Sequence, residues 1–348
     1  MSAMQAEMAR RAEALRQRKP AQAASGEPAH VMLAASDPVP SAAIMARPGG
    51  ALIRSGRSQV DGGQALAYAR QFLGHFAIWP SDAVLTTCTL WAGHCWARDA
   101  GKTLVFQSTP RLLFSSAQPG SGKSAAMKLV SRLCPSPALF TEPSEPAVAH
   151  SIGDHKTLFL DEIDVLFGTN GTRKSAIRAV INDGYTPDGK WPRVRNGVTH
   201  EMPTFGPLAM AGLDKVEAGT SGVMAATLSR CIRVRMVRAP EDYRPPRYDP
   251  QARMAATLIG ERLGAWCQQE LGALASWIPP LPDGIGNRDA ELWEPLLTIA
   301  DVAGGQWPQL ARDAAEELIA TGGMPPEDED KAAMLDQLMA GLGAGEEF

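Results

Sequence analysis

The chain is short of cysteine, of aromatic residues and of surplus positive charge, and each shortage removes a class of protein. Its 348 residues hold five cysteines, Cys88, Cys95, Cys134, Cys231 and Cys267. They are odd in number, form no C-x-x-C pair and stand at no zinc-ligand spacing with histidine, which excludes a disulfide framework or a zinc ribbon and predicts reduced, buried thiols. His94 beside Cys95 reads as packing, because two ligands on adjacent residues rarely make a metal site. Aromatics are 6% of the chain, and the formal charge of -4 excludes a surface coated in basic residues. Any contact with nucleic acid must then come from a local patch. No long uninterrupted apolar run is present, and the opening MSAMQAEMARRAEALRQRKP is broken by charge throughout. It reads as neither a secretion signal nor a membrane span, so the expectation is a cytoplasmic protein with no membrane partner.

What is there is an ordinary globular composition, 45% hydrophobic and 21% charged, enough for one large domain and a smaller appendage. Residues 1–60 are rich in Ala, Pro, Gly and Ser without periodicity and are expected to be a mobile arm, with a short charged helix over 2–19. Residues 61–105 predict a helical lead-in. Its second helix places Val84, Leu85, Cys88, Trp91, Ala92 and Cys95 at helical spacing, with Ser81 or Asp82 as the cap. Residues 106–240 alternate between strand and helix: strand 111–116, helix from Lys123, strand 138–141, short helix from Pro146, strand 157–161, helix 174–183, strand 206–212, helix 223–229 and strand 231–236. That alternation predicts an α/β fold with a mostly parallel sheet covered on both faces. Past the proline-rich APEDYRPPRYDP, residues 241–322 predict a small helical domain with helices over 249–275, 288–303 and 306–320, and 323–348 form an acidic tail.

The chemistry starts where the strand RLLFSS runs into AQPGSGKS. Ala117, Gln118, Pro119, Gly120, Ser121, Gly122, Lys123 and Ser124 fit the phosphate-loop (P-loop) pattern, with Ala117 in place of the usual first glycine. Glycines let the backbone wrap a phosphate, and the helix that follows adds its positive end. Lys123 is then expected on the β- and γ-phosphates of ATP and Ser124 on Mg2+. The strand TLFL ends in Asp161 and Glu162. Asp161 suits the magnesium shell and Glu162 the attacking water, and the switch-point rule for parallel sheets sets both beside the loop.

The order of elements, with the carboxylate pair one strand–helix unit after the loop, resembles the additional-strand P-loop ATPases, which include AAA+ proteins and superfamily 3 helicases. Leu228-Ser229-Arg230-Cys231 resembles the Ser-Arg-Cys motif of clamp-loader ATPases. The resemblance implies that Arg230 enters a neighbouring subunit's site as an arginine finger; otherwise it is an edge-strand arginine like Arg233. Arg288, opening a helix in Asn287-Arg288-Asp289, matches the place where AAA+ lids carry a second nucleotide-sensing arginine; the alternative is pairing with Asp289 or Glu291. The strand GPLAMAG lacks the Asn or Thr that usually ends the sensor strand of that family.

Between helix 174–183 and that strand lies KWPRVRNGVTHEMPTF, in which Asn196-Gly197 between valines signals a two-residue hairpin turn. Lys190, Arg193 and Arg195 make it locally positive. Its place resembles the pore hairpin with which superfamily 3 helicases grip DNA, against the alternative of a hairpin that covers the sheet edge. The blocks LWAGHCW, LFLDEID, INDGY, LSRCIRV and NRDAELWEPLLTIADVAGGQWP, over roughly residues 64–320, are together similar to a family of phage, prophage and actinobacterial ATPases catalogued as a domain of unknown function. The expectation is an ATP-hydrolysing motor of a mobile element: a DNA helicase or translocase, active as a homo-oligomeric ring on single-stranded nucleic acid alongside replication proteins. The alternatives are a loader or remodeller of another protein, or a nucleotide-gated switch.

Overall fold

The computed structural model describes residues 60–163, 175–195, 197–212, 226–240 and 243–322, all within one compact unit, Ser55–Glu327. The expected arm 1–60 but for its last residue, and the tail 323–348, lie outside the described residues.

Five strands, β1 (Arg111–Ser115), β2 (Pro137–Phe140), β3 (Thr157–Leu160), β6 (Leu208–Ala211) and β7 (Cys231–Arg235), form one parallel sheet in the order β2-β3-β6-β1-β7. The remaining two, β4 (Lys190–Arg195) and β5 (Val198–Pro203), make a separate antiparallel hairpin. Every residue of β1, β3 and β6 is buried, as both-faced burial of a parallel sheet requires. Alternate side chains go to different cores. Leu112, Phe114, Phe159, Ala209 and Ala211 enter one, and Leu113, Leu158, Leu160, Leu208 and Met210 the other.

The first core is completed by α1 (Gly62–Phe76), α2 (Asp82–His94), α3 (Lys123–Ser131), α6 (Pro250–Gln269), α8 (Asn287–Ala303) and α9 (Trp307–Thr321); the second by α4 (Glu145–Gly153) and α5 (Ser175–Asp183). A short α7 (Leu271–Ser276) follows α6. Helix starts follow the capping residues in the sequence: Asp61 accepts from the N–H of Gln64, Ser81 from Val84, Ser144 from Ala147 and Asp249 from Ala252. The lead-in helices and the C-terminal helices are not separate bodies. Trp91, Trp266, Trp293 and Trp307 are buried in the same cluster, and the Trp307 indole donates to the carbonyl of Gly63 at 3.0 Å.

Strand ends agree with expectation to within two residues. Of the helix expected over 223–229, residues 226–228 are helical and 223–225 lie outside the described residues.

Candidate functional site

The loop after β1 leaves the C-terminal edge of the sheet and enters α3. Ser116 Oγ donates to the carbonyl of Gln118 at 2.8 Å, and residues 117–120 are exposed. Gly120 (φ +82°) and Gly122 (φ +81°) are left-handed, and an added Cβ at either would meet nothing within 4 Å. Glycine is therefore needed here for backbone conformation rather than for space. Gly122 is the N-cap of α3, supplies no side-chain cap, and no acidic residue stands in the first turn. The first-turn N–H groups of Lys123 and Ser124 thus keep the positive end of the helix free of a capping side chain. Ser121 is buried, and its hydroxyl has no partner.

Asp161 sits one residue beyond β3, held by its N–H to the carbonyl of Phe140 at 2.8 Å. Its Oδ1 accepts from Ser124 Oγ at 2.7 Å and from the N–H of Glu162 at 3.1 Å. Two segments that are 37 residues apart thereby meet at the ends of β1 and β3. Glu162 has φ +56° and an exposed side chain. A non-glycine residue in the left-handed region is strained, and here the strain falls on the second carboxylate. Lys128, which the sequence reading passed over, lies with Nζ 3.4 Å from Asp161 Oδ2. The signal was present: Lys128 is four residues after Ser124 and so shares its helical face.

Arg230 and Arg288 are elsewhere. Arg230 immediately precedes β7, and its carbonyl accepts from the N–H of Arg111, the first residue of β1. It stands at the N-terminal edge of the sheet, the length of β1 away from the loop, about 13 Å at a rise near 3.3 Å per residue. Its Nη1 donates to the carbonyl of Ala226 at 2.6 Å, its Nε is buried without a partner, and its guanidinium lies 5.9 Å from the centre of the Tyr185 ring. The Arg288 guanidinium lies 5.4 Å from that same centre, and its Nη1 donates to Glu291 Oε2 at 2.9 Å.

Arg288 thus stands at the opposite edge of the sheet from Lys123, and the alternative expected for it, pairing with Glu291, is formed. The Tyr185 hydroxyl donates to the same Oε2 at 3.1 Å. Burial, then the charge of Glu291, pushes this phenol well above its ordinary range, so it stays a donor. Pro295 explains why Glu291 is fixed. A proline at i+4 leaves the carbonyl of Glu291 without its helical donor, and Ser108 Oγ supplies one instead.

The hairpin forms as expected, with two residues between Arg195 and Val198 and Gly197 at φ +75°. Asn196 lies outside the described residues, as do the side chains of Arg193 and Arg195. Register sets Arg193 opposite His200 and Arg195 opposite Val198. Trp191 packs against the second core, tying the hairpin's base to α5 and the sheet. Lys190 is not a free cation: its Nζ is 2.8 Å from Glu201 Oε2. That hydrogen bond and charge raise its pKa.

Residues 233–343 match a family described as "Protein of unknown function (DUF3631)". The match starts within β7 and runs through the C-terminal helices, beyond the glycine loop and the two carboxylates. A curated relative, the "Uncharacterized 28.9 kDa protein in xis 5'region" of Saccharopolyspora erythraea, is 34% identical over 102 residues. That stretch is 29% of this chain and spans 36% of the relative. No helix among the described residues is long and apolar enough to cross a membrane.

Proposed function

We propose that the chain is a P-loop ATPase. The observation that carries this reading is the 2.7 Å hydrogen bond from Ser124 to Asp161, which joins a glycine loop at a helix N-terminus to a carboxylate at the end of a neighbouring strand. The placement of β6 between β1 and β3 supports the additional-strand class in particular. Lys123 would supply charge to the β- and γ-phosphates, and Glu162 would orient and polarise water. The water oxygen bonds to the γ-phosphorus as the β–γ bridging bond breaks, and ADP, phosphate and a proton leave.

The donor set fits magnesium: a hydroxyl and a carboxylate oxygen, both hard oxygen ligands, lie within hydrogen-bond distance of each other. A cation that keeps its waters and takes phosphate oxygens asks for no more protein than Ser124 and Asp161. When bound it would offset charge on the phosphates.

The hairpin and its two arginines support a motor on single-stranded DNA, working as a ring. The tie between Lys190 and Glu201 favours the second reading, a loader that acts on another protein, because it removes one cation from the hairpin. ATP hydrolysis measured with and without single-stranded DNA decides. Several-fold stimulation supports the motor, hydrolysis indifferent to DNA supports the loader, and no hydrolysis at all ends the ATPase reading.

A further inference from the structure

We propose that the small cleft lined by Arg98, Arg111 and Thr204, at the N-terminal edge of the sheet, is a binding site for one halide ion such as chloride. The inference is independent of the ATPase reading, because the cleft lies at the edge of the sheet opposite the glycine loop and contains none of its residues. Arg111 opens β1 and Leu208 opens β6, while Arg98 Nη2 donates at 3.2 Å to the hydroxyl of Thr157, the first residue of β3.

Charge is the first observation. Arg111 is 1% exposed and Arg98 9%, yet among the described residues no carboxylate pairs with either. The ionisable groups that act on them are cysteine thiols, the Tyr185 phenol and Arg230. A buried cation is costly unless a countercharge answers it. The other titratable residues lining the cleft are His155 and Lys156, both half-buried at its mouth, and none of the lining is Asp or Glu. Asp154, beside the mouth, is engaged by Lys156 at 3.2 Å.

Hydrogen bonding is the second. A guanidinium has five N–H donors. Arg98 uses four of them, on the carbonyls of Cys95, Lys102 and His155 and on Thr157 Oγ1, and Arg111 uses two, on the carbonyls of Ile181 and Gly206. Thr204 is 3% exposed and its hydroxyl has no partner. A halide accepts several such donors at once and brings the missing charge; a water would accept the bonds and leave both cations unanswered.

Size selects the ion. The cleft has a volume of about 10 Å3, room for one water-sized particle, which excludes phosphate, nucleotide or a peptide carboxylate. Thr204 directly follows β5, and its N–H donates to the carbonyl of Gly189 at 2.9 Å. An ion held there joins the foot of the hairpin to the starts of β1 and β3.

The test uses the full chain without nucleotide. Its melting temperature should rise saturably, by about 2 °C or more, in sodium chloride or bromide over sodium gluconate at equal ionic strength, gluconate being too large to enter. Equal melting temperatures in the three salts overturn the proposal. Crystals grown in bromide should show an anomalous scatterer within hydrogen-bonding reach of Arg111 and Thr204; an ordered water in its place, or an empty cleft, overturns it as well. A scatterer without the stability difference is an adventitious ion only and rejects the site. Thr204→Val keeps the shape and removes one donor, so it should need several-fold more chloride for the half-maximal rise, and the melting curve itself shows that the variant folds. An unchanged midpoint in that variant takes the ion away from Thr204 and rejects the assignment.

Discussion

At the residue scale the sequence carries most of the site, because the chemistry sits in contiguous stretches. Gly120 to Ser124 and Asp161-Glu162 are legible from residue type and spacing alone, and the structure joins them through Ser124. On the ATPase reading, Lys123→Ala should weaken ATP binding about 10- to 100-fold, the scale of a lost charge-assisted hydrogen bond. Glu162→Gln should bind ATP normally and lose about 100-fold or more in turnover, since the amide keeps the size but cannot polarise water. Binding titration and single-turnover hydrolysis separate the two, and normal turnover in Glu162→Gln would remove that residue from its role. What could not be read is the company kept by Arg230 and Arg288, which lie 58 residues apart and meet on a tyrosine that no motif marks.

His94 gives a prediction of another kind. It is fully buried, stacked on Phe106 with ring centres 5.3 Å apart, and its Nε2 has no partner. Burial, opposed by the carbonyl of Trp91 and helped by Arg98 and Arg111, pushes its pKa down to about 3. The folded protein keeps the imidazole neutral, while the unfolded chain takes a proton below about 6.5. Stability is therefore lost as pH falls from about 6.5 towards about 3. His94→Leu should flatten the melting temperature against pH across that window, and an unchanged slope would show that other groups set it.

At the element scale, capping and periodicity located the helices closely: Ser81, one of the two residues expected to cap the second lead-in helix, accepts from the N–H of Val84. The sheet order was beyond sequence: parallel strands joined by crossovers carry no local mark of their neighbours, and nothing in GPLAMAG says that it pairs with both β1 and β3. Close helix approach was equally hidden. Gly264 lies in α6, where glycine to alanine would ordinarily gain about 1 kcal/mol. A Cβ there would fall 2.5 Å from Cε3 of Trp96, whose indole is held by a 2.7 Å bond to the carbonyl of Leu133. The sign should reverse. Gly264→Ala should destabilise by about 1–3 kcal/mol in a denaturant titration, and a stabilised variant would show that the ring moves aside freely.

At the scale of the whole molecule, the acidic chain of net charge -4 must confine any hold on DNA to a small part of its surface. The hairpin is where such a hold would be found. Within it Lys190 is paired with Glu201, so on the motor reading the work would fall to Arg193 and Arg195. Each phosphate neutralised by a cation releases counterions, and a single strand gives a slope near 0.7 per contact when log affinity is plotted against log salt. Replacing both arginines by alanine should then weaken single-stranded DNA binding and reduce that slope by about 1.4. The fold should survive, because Gly197 still sets the turn and Trp191 still anchors the base. Lys190→Ala should change the slope far less than either arginine, since its charge is already answered within the hairpin. Equal slopes for all three single variants would mean that the pair with Glu201 opens on binding. A double arginine variant with the wild-type slope would take DNA away from the hairpin and favour the loader.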